Sequence, residues 1–321
     1  MNEQKLGLYT PDGFETVDQI IEKGLKREKK PFLQEFVHGA ASLFDRATEL
    51  LQETQQFMGE TTLNDKEAIW RVNAENPNAP IGILLATDIH YGSVKSDYEL
   101  LKEHLDLIEN TPNFFIVTNG DHVDNFNITG KWATGVYENP LPPQIQTKAF
   151  IEKLEDLDRK GKLGVMSFGN HDDFGSVTGY DWFDTFCTNL RAPVFKTGGL
   201  LHILHGKEQY NLALTHMYWG NSKLNPTNAA KRFWEHEYPE ADIVFLGHTH
   251  QSEMLHWERG GKDRIAVIGG TYKTEDDYAR KRGIGGRGGS PGMCVVLYPN
   301  ERRIVGFKDI HDAVNFVQGQ V

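Results

Sequence analysis

Only two cysteines occur in the 321 residues. Cys187 and Cys294 lie far apart and without metal-ligand spacing, which argues against a disulfide framework and against a thiolate metal site. Such sparing use fits a reducing, cytosolic setting. Long apolar runs are missing as well: none approaches the roughly 18 residues that a transmembrane helix needs. The opening MNEQKLGLYTPDG has no apolar core of the kind a secretory signal carries, so a soluble, cytoplasmic protein without membrane association is expected. Positive charge is in deficit. A net charge of -11 and a pI near 5.6 give no global basic footprint for nucleic acid, although a local basic groove can coexist with an acidic surface. Internal repeats are lacking. What is present, 39% hydrophobic and 11% aromatic residues, is ample for a core. The length implies one large domain, or one domain with an appendage.

Five short stretches concentrate histidine, aspartate and asparagine. They read Asp88-Ile89-His90, Gly120-Asp121-His122-Val123-Asp124-Asn125, Gly169-Asn170-His171-Asp172, a lone His216, and Gly247-His248-Thr249-His250. Each follows an apolar or β-branched run: ILLAT, FFIVTN, VMSF, NLALT and DIVFL. Runs of that kind read as buried strands, and α/β sheets place their chemistry in the turns at strand ends. Carboxylates, an amide oxygen and neutral imidazoles suit Mn, Fe or Zn. In Asp88-x-His90 and His248-x-His250, strand alternation is expected to point both side chains the same way, so that both grip one ion. Asp121, after a glycine that permits a tight turn, is the natural carboxylate to bridge two ions. Asn170 can offer a neutral oxygen and His216 a further nitrogen.

This ordered set resembles the calcineurin-like metallophosphoesterase superfamily, over roughly residues 80 to 310. The closing GHTH is more similar to its repair-nuclease and phosphodiesterase branches than to the Ser/Thr protein phosphatases. The resemblance implies an α/β fold, a four-layer α/β-β/α sandwich of two mixed sheets flanked by helices. It implies two divalent ions, Mn foremost, with Fe, Zn, Mg or Ni as alternatives. By similarity, Asp88, His90 and His250 hold the first ion, Asp121 bridges, and Asn170, His216 and His248 hold the second. His171 is then the non-ligand histidine that protonates the leaving oxygen or stabilises the phosphoryl group, with Asp172 orienting it as a carboxylate orients an imidazole. The implied reaction is hydrolysis of a phosphate mono- or diester by a hydroxide bridging the ions. A DNA nuclease of the repair type and a non-catalytic scaffold on the same fold are the alternatives.

Elsewhere histidine reads as ordinary surface or core: His38, His104, His202, His205, His236, His256 and His311. His122, Asp124 and Asn125 lie inside a motif, and the sequence leaves open whether they touch the site. Residues 1–78 are expected to be an N-terminal helical extension to the metallophosphoesterase domain at 79–321. Helices are expected over 13–30 and 32–57, the second with an apolar stripe that either packs on the domain or forms a homo-oligomer interface. Further helices are expected over 96–110 with Ser96 as N-cap, 144–160, 180–190 and 228–237, and strands over 200–204, 210–215, 264–268 and 293–298. The loop 126–144, with Lys131, Trp132 and Tyr137, is a candidate substrate wall. The segment TYKTEDDYARKRGIGGRGGSPG carries Lys273, Arg280, Arg282 and Arg287 among glycines. It is either a lid whose cations meet a phosphate-bearing substrate or a solvated surface loop.

Overall fold

The computed structural model describes residues 7–10, 13–16, 66–126, 137–174, 187–222, 224–274 and 290–320. Two compact units divide the chain, Met1–Leu63 and Asn64–Val321. In the first, β1 (Gly7–Thr10) pairs antiparallel with β2 (Gly13–Thr16). The helix expected to begin at Gly13 therefore starts as a strand instead. Pro11-Asp12 between the paired runs is turn-forming chemistry, and glycine is a poor helix residue. The rest of the helices expected over 17–57 lies outside the described residues, and the oligomer interface with them.

Among its described residues the second unit holds two mixed six-stranded sheets and four helices. Its strands are β3 (Glu67–Arg71), β4 (Ile81–Ala86), β5 (Phe114–Asn119), β6 (Leu163–Ser167), β7 (Val194–Phe195), β8 (Gly199–His205), β9 (Glu208–Thr215), β10 (Ile243–Leu246), β11 (Glu253–Arg259), β12 (Lys262–Ile268), β13 (Cys294–Leu297) and β14 (Ile304–Phe307). One sheet runs β14-β13-β4-β5-β6-β7, the other β11-β12-β10-β9-β8-β3. β4 to β7 are parallel neighbours, as are β9, β10 and β12. Strand β3 belongs to this unit although its sequence falls within 1–78. The compact units divide between Leu63 and Asn64, and β3 pairs with β8 within the second.

Alternation along the strands explains how the sheets stack. In β4, Ile81, Ile83 and Leu85 join one core cluster while Leu84 and Ala86 join another. In β10, Ile243 and Phe245 join the same cluster as Ile81, and Val244 and Leu246 turn the opposite way. The shared cluster lies between the two sheets. Helices α1 (Tyr98–Asn110), α2 (Pro143–Arg159) and α4 (Ile310–Gln318) cover the outer face of the first sheet. Helix α3 (Asn228–His236) covers the second with Ala229, Ala230, Phe233 and Trp234. Strands buried on both faces read as unbroken apolar runs, and FFIVTN and IVFL are buried at every position.

Helix α1 is capped one residue later than Ser96. The Asp97 carboxylate accepts from Leu100 N at 3.0 Å, while Ser96 Oγ donates to His90 O at 2.8 Å. Strands β3, β7, β11 and β14 and helix α4 were not expected, although Ile310, Ala313, Val314 and Val317 of α4 do fall at helical spacing. No helix among the described residues is long and apolar enough to cross a membrane.

His104 on α1 is buried against the Tyr272 hydroxyl, with Nδ1 at 2.8 Å from it. Burial, seconded by the charge of His311, holds its pKa down at about 4. The unfolded chain takes up that proton near pH 6.5, the folded one near 4, so the stability this histidine contributes is full above 6.5 and is lost as pH falls through that window. Urea unfolding should lose about 2 kcal/mol between about pH 7 and about pH 5 that His104→Gln does not lose. Equal losses in the two proteins would contradict this.

Candidate metal centre

The site lies at the carboxyl ends of β4, β5, β6, β9 and β10, where the strands of the two facing sheets meet. Asn119, the last residue of β5, ties those ends together: its Nδ2 donates to Thr215 O at 2.9 Å and Phe245 O at 3.0 Å. Beyond each strand the backbone turns sharply. Asp88 (φ 51°), His90 (φ 50°), Asp121 (φ 51°), Asn125 (φ 51°), His248 (φ 69°) and His250 (φ 56°) all adopt left-handed conformations. Side chains rarely tolerate that region, and strain of this kind gathers at functional sites. The convergence of Asp88 with His90, and of His248 with His250, therefore comes from left-handed turns and not from the strand alternation expected. Close packing fixes the turns in place. A Cβ on Gly169 would stand 2.3 Å from both Asp121 N and Asp121 Oδ1, and one on Gly247 only 2.1 Å from Thr87 Oγ1.

The turns bring the expected ligands together in three overlapping clusters. These are Asp88 with His90 and His250, Asp121 with His216 and His248, and His90 with Asp121 and His171, each with ligand atoms within 4.8 Å of one another. His250 Nε2 lies 3.2 Å from Asp88 Oδ1, and His90 Nε2 3.1 Å from His250 Nε2. His216 Nε2 is 3.2 Å from Asp121 Oδ2 and 3.9 Å from Asp88 Oδ1. Asp121 Oδ2 also lies 4.0 Å from both His90 Nε2 and His171 Nε2. Backbone carbonyls fix two of the rings. His216 Nδ1 donates to Asn119 O at 2.8 Å and His171 Nδ1 to Asp124 O at 2.7 Å, leaving both Nε2 atoms facing the cluster. Asn170 Oδ1 is buried and meets no hydrogen-bond donor among the described residues, as an oxygen awaiting a cation would be.

Charge in the centre is balanced by imidazole. Burial pushes the Asp88 carboxyl up, but His216 and His250 outweigh it and bring it down to about 2. Asp121 follows the same pattern, burial against His216 and His171, and ends well below the usual carboxylate range. The reverse holds at His216: burial opposes its charge, yet Asp121 and Asp88 raise it to about 10. A proton on His216 thus stands in for positive charge between two buried carboxylates. Burial and the Lys273 ammonium hold His90 down at about 4, a neutral imidazole fit to ligate. His248 is lowered by burial and by His216. Carboxylates, neutral imidazoles and an unpartnered amide oxygen converging on one small volume fit a pair of divalent ions.

The orienting residues differ from those expected. Asp172 does not reach His171. Its carboxylate accepts from His122 N at 3.0 Å and Gly169 N at 2.8 Å, with Oδ2 2.9 Å from His122 Nδ1, and so locks two motif turns together. The turn after β6 sends consecutive side chains to different sides. Asp124, left open by the sequence, stands where Asp172 was expected: Oδ1 lies 2.9 Å from His90 Nδ1, and its carbonyl holds His171. Asn125 Nδ2 donates to His171 O at 2.7 Å. Thr87 and Asn119 escaped notice because they close strands instead of opening motifs; Thr87 Oγ1 lies 2.7 Å from Asp88 Oδ2. Lys273, expected to face substrate, is buried with its ammonium 2.7 Å from Asp124 Oδ1. Arg280, Arg282 and Arg287 lie outside the described residues, as do most of the loop at 126–144 and of the helix expected over 180–190; Tyr137 is exposed.

Residues 81–252 match the family model described as calcineurin-like phosphoesterase. Among solved structures, the chain is similar to Vps29 from Chaetomium thermophilum, at 10% identity, covering 71% of this chain and 96% of that one with a TM-score of 0.35. It is similar to a metallophosphoesterase from Sphaerobacter thermophilus, at 15% identity over 75% of this chain and 92% of that one, TM-score 0.35. It is also similar to Vps29 from Entamoeba histolytica complexed with zinc, at 12% identity over 71% and 97%, TM-score 0.33. No curated protein matches the chain.

Two outcomes are expected from the packing of the turns. Gly169→Ala forces the Asp121 backbone aside, and should destabilise the protein by about 1–3 kcal/mol and abolish Mn2+ uptake in calorimetry. Mn2+ at about 100 times its dissociation constant should stabilise the wild type by about 2.7 kcal/mol in thermal unfolding and leave Gly169→Ala unmoved. A variant that binds the ion as tightly as wild type would refute this account of the glycine.

Proposed function

The chain belongs to the calcineurin-like phosphoesterase family, and from that premise we propose that it is a dimetal-dependent hydrolase of phosphate mono- or diesters. The observation that carries the reading is the sharing of Asp121 between imidazole clusters, beside the buried, donorless Asn170 Oδ1. Asp88, His90 and His250 would hold one ion, and His216, His248 and Asn170 the other, with Asp121 between them. Two divalent ions, manganese foremost, supply Lewis acidity toward a phosphoryl group and lower the pKa of water.

The remaining chemistry belongs to the chain. His171 is not needed as a ligand, and its ring is fixed: a carbonyl only accepts, so Nδ1 carries a hydrogen toward Asp124 O and Nε2 is free to exchange a proton at the site. Asn125 holds the His171 carbonyl, and the rings of Phe126 and Phe174 pack against the imidazole with centroids at 5.0 and 4.5 Å. A histidine braced this way has one productive direction for Nε2. It can deliver a proton to the departing ester oxygen without reorganising. Asp172 and His122 act at a remove, holding the turn from which Asn170 and His171 project.

The net charge of -11 supports a small phosphate ester over a polynucleotide, whose binding depends on neutralising many phosphates. Lys273 agrees with this, since its cation is already engaged by Asp124.

The test is hydrolysis of p-nitrophenyl phosphate and bis-p-nitrophenyl phosphate by Mn2+-loaded protein, alongside elemental analysis. Wild type should carry metal and turn over at least one ester. Asp121→Asn should lose both properties. In His171→Ala, kcat should fall about 10²–10⁴-fold with metal content unchanged. Normal turnover in His171→Ala would remove it from the mechanism, and metal-free, inactive wild type would defeat the hydrolase reading.

A further inference from the structure

Lys273 belongs to none of the ligand clusters, yet its side chain is only 3% exposed. Its ammonium stands 2.7 Å from Asp124 Oδ1, and that same oxygen is 2.9 Å from His90 Nδ1. The second carboxylate oxygen of Asp124 accepts from Asn139 Nδ2 at 2.8 Å. One buried carboxylate is therefore shared between a lysine, an asparagine and the ring of a candidate ligand, while its main-chain carbonyl holds His171. The lysine is fixed from outside the centre. Ser96 and Lys273 form an antiparallel bridge, and Thr274 donates from N at 2.8 Å and Oγ1 at 2.9 Å to Lys95 O. Thr271 Oγ1 donates to Asp88 O at 2.8 Å, so the segment carrying Lys273 also touches the first motif.

Removing an ammonium from water costs several kcal/mol, and a surface lysine could pair with solvent at no such cost. The geometry offers a reason for the burial. Without Lys273 the Asp124 carboxylate, still held by Asn139 at Oδ2, would be free to swing Oδ1 toward the ions. With Lys273 in place, Oδ1 is held where it meets both the ammonium and His90 Nδ1. A carboxylate at 2.9 Å from Nδ1 of a ligating histidine, a charge contact and not an aligned hydrogen bond, favours the hydrogen on Nδ1 and limits how the ring can turn. Nε2 of His90 is then left bare and aimed at the cluster formed with Asp88 and His250.

We propose that Lys273 is a positioning residue of the metal centre, acting through Asp124 to orient the His90 ring for the first ion; the inference rests on the dimetal reading above. Lys273 is therefore not a contact to substrate. Its orienting influence on the His90 ring runs through one carboxylate and is lost when that carboxylate is neutralised.

A double-mutant cycle tests this, with Mn2+ titrated calorimetrically into metal-free wild type, Lys273→Met, Asp124→Asn and the double variant. Lys273→Met should weaken Mn2+ binding about 10–100-fold, the range typical of residues that support a ligand. Added to Asp124→Asn, the same change should alter affinity by less than about threefold. At saturating Mn2+, KM for p-nitrophenyl phosphate should stay within about twofold of wild type in Lys273→Met, since no ground-state contact is lost. Should Lys273→Met fail to fold, Lys273→Arg takes its place: a retained cation should keep Mn2+ affinity within about threefold of wild type, and a larger loss overturns the proposal. A full loss in the Asp124→Asn background overturns it too. Unchanged Mn2+ affinity with a raised KM would also overturn it, and would make Lys273 a substrate contact. Wild type that takes up no Mn2+ defeats the dimetal reading itself and this inference with it.

Discussion

Two carboxylates buried within reach of the same imidazole set the terms for the rest of this molecule. Asp88 and Asp121 come from different strands, are almost entirely hidden from water, and both face His216 Nε2. Like charges placed so in a low-dielectric interior repel strongly, and each costs several kcal/mol to desolvate. Positive charge must collect around them. In the protein alone His216 supplies it by retaining a proton, and the surrounding imidazoles add hydrogen bonds. A divalent ion does the same work with more charge and fixed geometry, so proton and metal compete for one place.

Holding the carboxylates there requires both sheets. Asn119 reaches from β5 to the ends of β9 and β10, and Thr87 lies within hydrogen-bonding distance of Asn119 O and Asp88. Gly169 lets main chain approach main chain, and Gly247 lets the side chains of Thr87 and Asp88 approach it, at distances no Cβ would permit. Six non-glycine residues of the site accept left-handed backbone. Such conformations cost on the order of 1–3 kcal/mol each and persist only where the surroundings over-determine them. The buried inter-sheet cluster provides that rigidity, with Ile83 and Leu85 of one sheet among the same core residues as Leu212 and Phe245 of the other.

Around this centre the bonds form a second ring. Asp172 closes on His122 and Gly169, and Asp124 on His90, Lys273 and Asn139. The two aspartates look alike in the sequence, each near the end of a motif. Their tasks are different. One braces main-chain turns, and the other meets the His90 ring with its carboxylate and the His171 ring with its carbonyl. Sequence reading gave the first the task of the second, because neighbouring residues on a turn diverge in direction by an amount that only the turn's dihedrals specify.

Local chemistry alone placed β5 correctly to the residue and α2 and α3 to within one, since apolar runs and helical periodicity are properties of adjacent residues. The aspartates and histidines of the three clusters were legible too, because carboxylate and imidazole at strand ends need no coordinates to be seen, whereas Thr87 and Asn119 were not. The N-terminal extension was harder, and Gly13–Thr16 went to a strand where apolar spacing alone favoured a helix. Tertiary structure decided which groups meet across 50 or more positions: Asp172 with His122, and His104 with Tyr272. It also decided that Asp-x-His converges by left-handed turns. Those outcomes depend on the order of strands in two sheets and on how closely their ends approach, and neither quantity is written in any local stretch of the chain.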